Sequence, residues 1–240
     1  MPPHNELGQP VGAPLPGWQP PPAPPREGLV GRYCALEPID PERHAEALFA
    51  TFQADAEGRM WTYLPYGPFG DVAGFRAWMG DRCLGADPLF FAIVDRPSGA
   101  PLGMAAYLRI DRPNGVIEVG HLLFSPALQR TRAATEAMVL MMQRAFALGY
   151  RRYEWKCDAL NAPSRAAAER LGFCHEGVFR QAVVVKGRNR DTAWYSILDR
   201  EWPSLRGAYE QWLDPKNFDD AGRQRTSLSA LTATAVRPQR

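Results

Sequence analysis

A single acidic residue interrupts one of the most apolar segments of the chain. Glu118 lies within VIEVGHLLF, residues 116–124, whose apolar residues on both faces predict a central strand of a sheet. A carboxylate is costly to bury unless it is paired or hydrated. Glu118 is therefore either an acid–base group of an active site or the ion-pair partner of an arginine such as Arg109 or Arg151. His121, three residues on, is predicted to lie on the opposite face of the strand as a core histidine.

A helix start after this strand could bind an anion. Residues 129–134, QRTRAA, open a segment in which apolar residues recur at helical spacing as far as Gly149. The first turn of a helix offers about four unpaired backbone N–H groups and a partial positive charge, and both favour a phosphate. We therefore expect a phosphate site here. Its predicted residues are Gln129, Arg130, Thr131, Arg132, Ala133 and Ala134.

A second strand and helix follow and complete a βαβα unit. Residues 153–157 are predicted to form a strand, and residues 163–171 a helix that Gly172 stops. Asn161 stands just before the helical proline, where asparagine commonly caps a helix. Ser164 lies in the first turn of this helix. Its hydroxyl is either a helix-start group near free amides or a proton donor to a leaving group.

The remaining hydrophobic patterns predict a single mixed α/β domain. Several strands follow one another directly, which indicates hairpins, whereas the unit at residues 116–173 requires one right-handed helical crossover. The predicted fold class is α/β, with a mixed, mostly antiparallel sheet flanked by helices. The further predicted strands are residues 29–39, 89–94, 102–110, 178–185 and 192–198, and the further predicted helices are residues 41–54 and 71–83.

The folded domain is predicted to occupy residues 28–214. With 45% hydrophobic residues among 240, the chain can bury a sizeable core, and without its ends it fits one domain better than two. Residues 1–27 are rich in proline and poor in aliphatic residues, which predicts a disordered tail. Residues 215–240 lose hydrophobic periodicity and are predicted to form a flexible C-terminal tail.

Composition argues against several classes of protein. No apolar run approaches the roughly 20 residues that span a bilayer, and no signal-peptide pattern is present, so we expect a cytoplasmic protein without a membrane partner. The net charge of +2 gives little support for a nucleic-acid surface. The four cysteines are widely spaced and predict neither a metal site nor a disulfide framework. They are Cys34, Cys83, Cys157 and Cys174.

The order strand, turn, helix, strand and helix over residues 116–173 resembles the GCN5-related N-acetyltransferase (GNAT) family, whose turn has the pattern Gln/Arg-x-x-Gly-x-Gly/Ala. Gln129 and Ala134 match this pattern, whereas Arg132 stands where the family has its first glycine. The resemblance covers roughly residues 29–200. Within the family, the chain is most similar to the branch that includes the ribosomal-protein N-terminal acetyltransferases. The resemblance implies acetyl transfer to an amine and a GNAT-like sheet.

The resemblance also implies acetyl-CoA as the co-substrate. In the family, backbone amides of the turn at residues 129–134 bind the pyrophosphate, and the preceding strand diverges from the next one so that its backbone pairs with pantetheine. In this chain, that backbone belongs to Leu122, Leu123 and Phe124. An asparagine at the place of Asn161 contacts the pantetheine arm, which is compatible with a helix cap.

Candidate catalytic groups follow from the chemistry, since acetylation of an amine requires a route for the amine proton and a proton for the departing thiolate. Family members often carry a general-base glutamate on this strand, which makes Glu118 the candidate base. Many place a tyrosine acid farther along the later helix, but this chain has Ala168 there. Either Ser164 or water then protonates coenzyme A, or the thiolate leaves unassisted by a side chain. Cys157 and Cys174 have no recognisable histidine partner, so we expect direct transfer without an acyl-enzyme.

The acceptor is left open by the sequence, because a protein N-terminus, an amino acid and a small-molecule amine all remain. The aromatic loop, residues 60–70, is predicted to form either one wall of the acceptor pocket through Trp61 and Tyr63 or a packed hydrophobic lid. The sequence predicts no oligomeric state.

Two other classes of protein remain possible from the sequence. One is an acyl-CoA-binding module without turnover, and the other is an RNA- or ribosome-binding protein that uses KGRNRD at residues 186–191.

Overall fold

The computed structural model describes residues 2–235, whose strands form one eight-stranded sheet. The strands are β1 (Leu29–Val30), β2 (Cys34–Pro38), β3 (Leu89–Asp95), β4 (Pro101–Asp111), β5 (Val116–Phe124), β6 (Arg152–Asp158), β7 (Cys174–Val185) and β8 (Arg188–Leu198). The helices are α1 (Pro41–Phe52), α2 (Val72–Arg82), α3 (Arg132–Ala147), α4 (Ala162–Arg170), α5 (Trp202–Leu213) and α6 (Leu228–Ala235).

The strands lie in the order β1-β2-β3-β4-β5-β6-β8-β7. Among the described residues, β5 and β6 form the one parallel pair, and α3 makes the crossover that joins them. A parallel pair requires such a crossover because both strands run in the same direction, so the chain must return to the end of the sheet where the first strand started. The predicted mixed, mostly antiparallel sheet with flanking helices is confirmed.

The first two helices begin at acidic residues that the sequence places there. The Asp40 carboxylate accepts hydrogen bonds from the backbone N–H groups of Glu42 and Arg43 at the start of α1. The Asp71 carboxylate accepts one from Gly74 at the start of α2. Each side chain satisfies amides that the helix leaves unpaired. These two helix starts are therefore determined by local sequence.

The predicted strand at residues 29–39 is divided in two. Between β1 and β2, the carboxylate of Glu136 on α3 accepts hydrogen bonds from three consecutive backbone N–H groups, the last of them that of Cys34 at 2.8 Å. A Cβ atom at Gly31 would lie 2.4 Å from this carboxylate, so glycine is needed for the close approach. The break in the strand thus depends on a residue about a hundred positions away, which a local pattern does not reveal.

Apolar side chains pack on both faces of the sheet and form two cores. The first core, on the face covered by α3, α4 and α5, includes Tyr107, Val119 and Trp155. The second core, on the face covered by α1 and α2, includes Phe90 and Leu123. Central strands contribute to both cores because successive side chains point to opposite faces. The two cores define the two sides of the candidate site described below.

The folded domain includes more of the C-terminal segment than predicted. Leu228 of α6 is fully buried, and the Thr232 hydroxyl donates a hydrogen bond to the carbonyl oxygen of Arg170 on α4. The packed part of the chain therefore reaches residue 235, beyond the predicted limit at residue 214. The sequence of α6 shows no clear apolar periodicity because most of its side chains are small or carry a hydroxyl group. Residues 236–240 of the predicted tail lie outside the described residues.

Part of the proline-rich segment also lies along the domain. The indole of Trp18 donates a hydrogen bond to the carbonyl oxygen of Pro113, and the Tyr150 hydroxyl donates one to that of Pro22. Prolines lack a backbone donor but keep their carbonyl acceptor, so such contacts are open to them. None of the helices within residues 2–235 has the length and apolarity needed to cross a membrane.

Candidate active site

The parallel strands β5 and β6 diverge halfway along their length. Their residues pair in register from Val116 and Arg152 to Val119 and Trp155, and no later pair is recorded in the described chain, although both strands continue. Beyond Val119, the side of β5 that faces β6 is therefore open. The backbone of Leu122, Leu123 and Phe124 lies along this opening, where an extended ligand can pair with it as a neighbouring strand would.

A β-bulge occurs on β5 where the opening begins. His121 has a left-handed backbone with φ of 51°, and Gly120 pairs with Ala106 while Leu123 pairs with Met104, so β5 contains one extra residue. An extra residue reverses the faces of all later side chains. The ring of His121 packs 4.9 Å from that of Phe90 in the second core.

The bulge places His121 on the same face as Glu118. Glu118 pairs with Leu108 and Gly120 with Ala106, and Ala106 belongs to the second core, where the His121 ring also lies. The prediction that the two side chains lie on opposite faces is therefore wrong. It assumed strict alternation, which the bulge interrupts. Glu118 and His121 therefore share the face of β5 covered by the second core, Glu118 just before the opening and His121 just after it begins.

The carboxylate of Glu118 is held by two cations. The Nη1 atom of Arg109 lies 2.8 Å from Oε1 and 2.7 Å from Oε2, and the Nζ atom of Lys156 lies 3.0 Å from Oε2. Only 4% of the Glu118 side-chain surface is exposed. The alternative of an ion pair with Arg109 is confirmed, whereas Arg151 instead stacks over the ring of Trp18. Oε1 accepts one of these contacts and Oε2 accepts two, so the two cations occupy three of the about four acceptor sites of this buried carboxylate.

Lys156 links Glu118 to a longer chain of charges on the same face. Its Nζ atom lies 2.7 Å from Oε2 of Glu154 and 3.8 Å from the centre of the Trp194 ring, and its side chain is 7% exposed. Arg152 pairs in turn with Glu154, at 2.6 Å. Acids and bases balance along this chain, which is how buried charges are tolerated. Sequence reasoning missed Lys156, although Glu154 and Lys156 alternate with apolar residues in β6 and so share a face.

The network ends at β7. The guanidinium of Arg152 donates to Oε1 of Glu176 at 2.8 Å, and the Ser196 hydroxyl donates to the same carboxylate at 2.7 Å. The hydrogen bond from Arg152 is the main cause that lowers the pKa of Glu176, and the same contact raises the pKa of Arg152. Both groups stay ionised at neutral pH. A balanced charged network therefore crosses β5, β6, β8 and β7 beside the opening.

Ser164 lies on the other face, at the last pair before the strands diverge. The indole Nε1 of Trp155 donates to its Oγ at 3.0 Å, and the Asn161 side chain accepts from its backbone N–H at 3.1 Å. Asn161 is thus the cap of α4, as predicted. Since the Trp155 hydrogen bond is accepted by the oxygen, the hydroxyl proton of Ser164 can be donated either to the neighbouring Cys157 thiol or to a ligand. Burial is the main cause that raises the pKa of nearby Cys157, which keeps this thiol protonated.

The predicted phosphate turn has the geometry of an anion site. Thr131 caps α3, since its hydroxyl accepts from the Ala134 N–H at 3.1 Å and donates to the Leu128 carbonyl oxygen at 2.7 Å. Among residues 2–235, no acceptor contacts the backbone N–H groups of Arg130, Arg132 or Ala133. Arg130 has a φ of 63°, a left-handed conformation just before the cap. These free amides at a helix start favour a phosphate group.

Two side chains of the turn have roles inside the protein. The amide nitrogen of Gln129 donates to the carbonyl oxygen of Phe124 at 2.8 Å, which ties the turn to the end of β5. The guanidinium of Arg132 lies between two aromatic rings, 4.8 Å from the centre of Tyr33 and 4.6 Å from that of Phe218. This stacking explains how arginine is accommodated where the family pattern has glycine.

The aromatic loop is anchored to both walls of the site. Lys186, in the turn between β7 and β8, donates from its Nζ atom to the carbonyl oxygen of Trp61 at 2.9 Å, and the Tyr63 hydroxyl donates to that of Leu160 at 3.2 Å. The ring of Trp61 is only 6% exposed and belongs to the second core. Tyr63 is half-buried. Trp61 thus packs as a lid residue, whereas Tyr63 can reach a ligand.

Comparison with known proteins agrees with this geometry. The family model for the acetyltransferase (GNAT) domain matches residues 34–174. A GCN5-related N-acetyltransferase from Brucella melitensis is 49% identical, with a TM-score of 0.89 over 91% of this chain and 100% of the other. A Chromobacterium violaceum protein assigned to the GNAT family is 44% identical, with a TM-score of 0.76 over 85% of this chain and 100% of the other.

A Bacillus subtilis protein with the provisional name ribosomal N-acetyltransferase YdaF is 31% identical over 105 residues, which are 43% of this chain and 57% of that protein. The family match extends over more than half of the chain and includes the opening between β5 and β6, the turn before α3 and the start of α4. The chain therefore belongs to the GNAT family of acetyltransferases, which use acetyl-CoA as acyl donor.

Proposed function

We propose that this protein transfers the acetyl group of acetyl-CoA directly to an acceptor amine in a ternary complex. One observation carries the proposal. The opening between β5 and β6 leads from the free amides before α3 to a narrow end at Val119 and Trp155, where Ser164 lies on one face and Glu118 on the other. A thioester at this narrow end has a proton donor on one side and a charged network on the other.

The residues along the opening fit the parts of acetyl-CoA. The amides of Arg130, Arg132 and Ala133 would bind the pyrophosphate, together with the start of α3 formed by Thr131 and Ala134. The backbone of residues 122–124 would pair with the pantetheine arm. Asn161 uses its carbonyl oxygen to cap α4, which leaves its amide nitrogen for a pantetheine carbonyl.

The two faces of the sheet separate the two proton transfers of the reaction. Ser164, whose oxygen already accepts the Trp155 hydrogen bond, would protonate the departing thiolate on the face of the first core. The amine would approach from the other face, where Glu118 and His121 are the groups nearest in the strand. Glu118 belongs to the active site as the residue that holds Arg109 and Lys156 there.

The acceptor would enter beneath the aromatic loop. Tyr63 is a half-exposed aromatic residue tied to the loop after β6, and the charged network lies on the sheet face that the aromatic loop helps to cover. The assay below must decide the class of acceptor amine. The candidates are a protein N-terminus, an amino acid and a small molecule. The name of the Bacillus subtilis relative favours a protein N-terminus as the first acceptor to test.

The test is a thiol-release assay with acetyl-CoA over N-terminal peptides, free amino acids, polyamines and aminoglycosides, combined with calorimetric binding of acetyl-CoA. We expect acetyl-CoA to bind and to raise the melting temperature, since a ligand bound by the native state alone stabilises it. Free acetate should give a much smaller shift. Binding without thiol release on the whole panel would favour an acyl-CoA-binding module, and neither binding nor release would refute the proposal.

A further inference from the structure

His121 occupies an unusual position next to the opening. It is the bulged residue of β5, with a φ of 51°, and its ring lies between those of Phe90, at 4.9 Å, and Tyr66, at 5.6 Å. Its Nδ1 atom is 3.1 Å from the Tyr66 hydroxyl. The side chain remains partly exposed, and within residues 2–235 no hydrogen bond is made by Nε2. The bulge thus turns a held imidazole towards the face from which the acceptor would approach.

The surroundings keep this imidazole neutral. The ionisable groups beside it are Arg109 on β4 and Tyr66 in the aromatic loop, and Glu118 shares its face of β5. Burial, and then the charge of Arg109, lower the pKa of His121 to about 4. Burial raises the pKa of Tyr66 well above its usual value, so Tyr66 stays a phenol. If Nδ1–H donates to the Tyr66 oxygen, the lone pair of Nε2 is free to accept a proton.

The two candidate bases, Glu118 and His121, differ in whether their acceptor atoms are already paired. Both oxygens of Glu118 are bound by Arg109 and Lys156, whereas Nε2 of His121 has no partner in the described chain. We propose that Nε2 of His121 takes the proton of the acceptor amine and that Glu118 is a positioning residue that fixes the two cations beside it. This proposal rests on the proposed function.

The reaction balances without any further reactant. The amine nitrogen attacks the thioester carbonyl carbon, the new C–N bond forms, and the C–S bond breaks. One amine proton passes to Nε2 of His121, and the thiolate takes a proton from Ser164 or from water. Solvent then removes the proton from His121 and restores that of Ser164. The products are the N-acetylated acceptor and coenzyme A.

The decisive experiment is chemical rescue of His121→Gly. Glycine adopts the left-handed backbone of this position without strain and leaves a space the size of the ring. We expect kcat for the best acceptor to fall about 100-fold or more, in line with the usual contribution of a general base. Calorimetric affinity for acetyl-CoA should stay within about twofold of that of the unmodified protein. Added imidazole should restore part of the rate.

Pyrazole is the control, because it has the size of imidazole but is a far weaker base. Rescue by imidazole and not by pyrazole supports proton transfer, whereas equal rescue by both would mean that the ring only fills space and would overturn the proposal. His121→Gln, which keeps a polar side chain of similar length, is measured in parallel. A kcat within threefold of the unmodified protein in either folded variant refutes the proposal. Acetyl-CoA binding without turnover in the unmodified protein would instead refute the proposed function.

Discussion

The indole nitrogen of Trp155 lies 3.0 Å from the hydroxyl oxygen of Ser164 and donates a hydrogen bond to it. Trp155 is also the last residue of β6 to pair with β5, so this contact fixes the hydroxyl at the narrow end of the opening. The oxygen accepts from Trp155, and the hydroxyl proton is therefore directed elsewhere. A hydroxyl held in this way can donate its proton to a thiolate placed beside it.

Replacing Ser164 with alanine tests this role. Ser164→Ala should lower kcat by about 100-fold, the lower end of the range for acid catalysis, because water then has to supply the proton. The acetyl-CoA affinity measured by calorimetry should change little, since Asn161 still caps the backbone of α4. Trp155→Phe is the matched control, because it removes the indole donor but leaves the hydroxyl. An unchanged kcat in Ser164→Ala would show that water protonates the thiolate already.

Removal of the Glu118 charge should affect stability as well as turnover. Glu118→Gln leaves Arg109 and Lys156 without their shared carboxylate, and breaking a buried ion pair costs about 3–5 kcal/mol. Urea unfolding should show this loss. Turnover should fall more than acetyl-CoA affinity, because Glu118 lies on the face from which we propose that the acceptor approaches. The double variant Glu118→Gln with Lys156→Met should recover part of the stability, and a strictly additive loss would contradict the ion pair.

The packing of Arg132 against two aromatic rings predicts that replacing it with glycine, the residue of the family pattern, lowers stability only mildly. Arg132→Gly should lower the free energy of unfolding by about 1–2 kcal/mol, since it removes two cation–π contacts and introduces glycine into a helix start. Binding of acetyl-CoA should persist because the proposed phosphate site consists of backbone amides. Phe218→Leu provides the control for stacking alone. A loss of affinity beyond tenfold in Arg132→Gly would mean that the guanidinium itself contacts phosphate.

The lowered pKa of His121 predicts a pH dependence of stability. Its value is about 4 in the folded protein and 6.5 in an ordinary environment, so the unfolded chain binds the additional proton first. The stabilisation is complete above pH 6.5 and is lost as the pH falls towards 4. Urea unfolding measured across this pH interval should show that the free energy of unfolding depends less steeply on pH in His121→Gln. Equal slopes for the unmodified protein and His121→Gln would contradict the assignment.

The aromatic loop should separate into a packing residue and an acceptor residue. Trp61→Ala should destabilise the fold by about 3–5 kcal/mol, as expected for a large ring removed from a core. Tyr63→Ala should raise KM for the acceptor and leave acetyl-CoA affinity nearly unchanged. Tyr63→Phe removes only the hydrogen bond to Leu160 and so distinguishes ring contact from loop anchoring. Equal effects of Tyr63→Ala on both substrates would assign Tyr63 to the fold.

Features that depend on neighbouring residues were predictable from the sequence. The caps at Asp40 and Asn161 and the order of strand, turn and helix around residues 129–134 each depend on side chains a few positions from the backbone they affect. The same holds for the free amides at the start of α3, which any helix provides in its first turn. These local rules were sufficient to predict the fold class and to locate the proposed cofactor site.

The tertiary structure alone decided what surrounds those sites. Lys156 meets Glu118 because β5 and β6 pair in parallel with Glu118 opposite Glu154, and Arg132 meets Phe218 because the C-terminal segment folds back onto α3. His121 reaches the face of Glu118 through one extra residue in β5, which reverses every side chain after it. Such contacts depend on strand register and on residues far apart in the chain, and short-range periodicity carries no information about either.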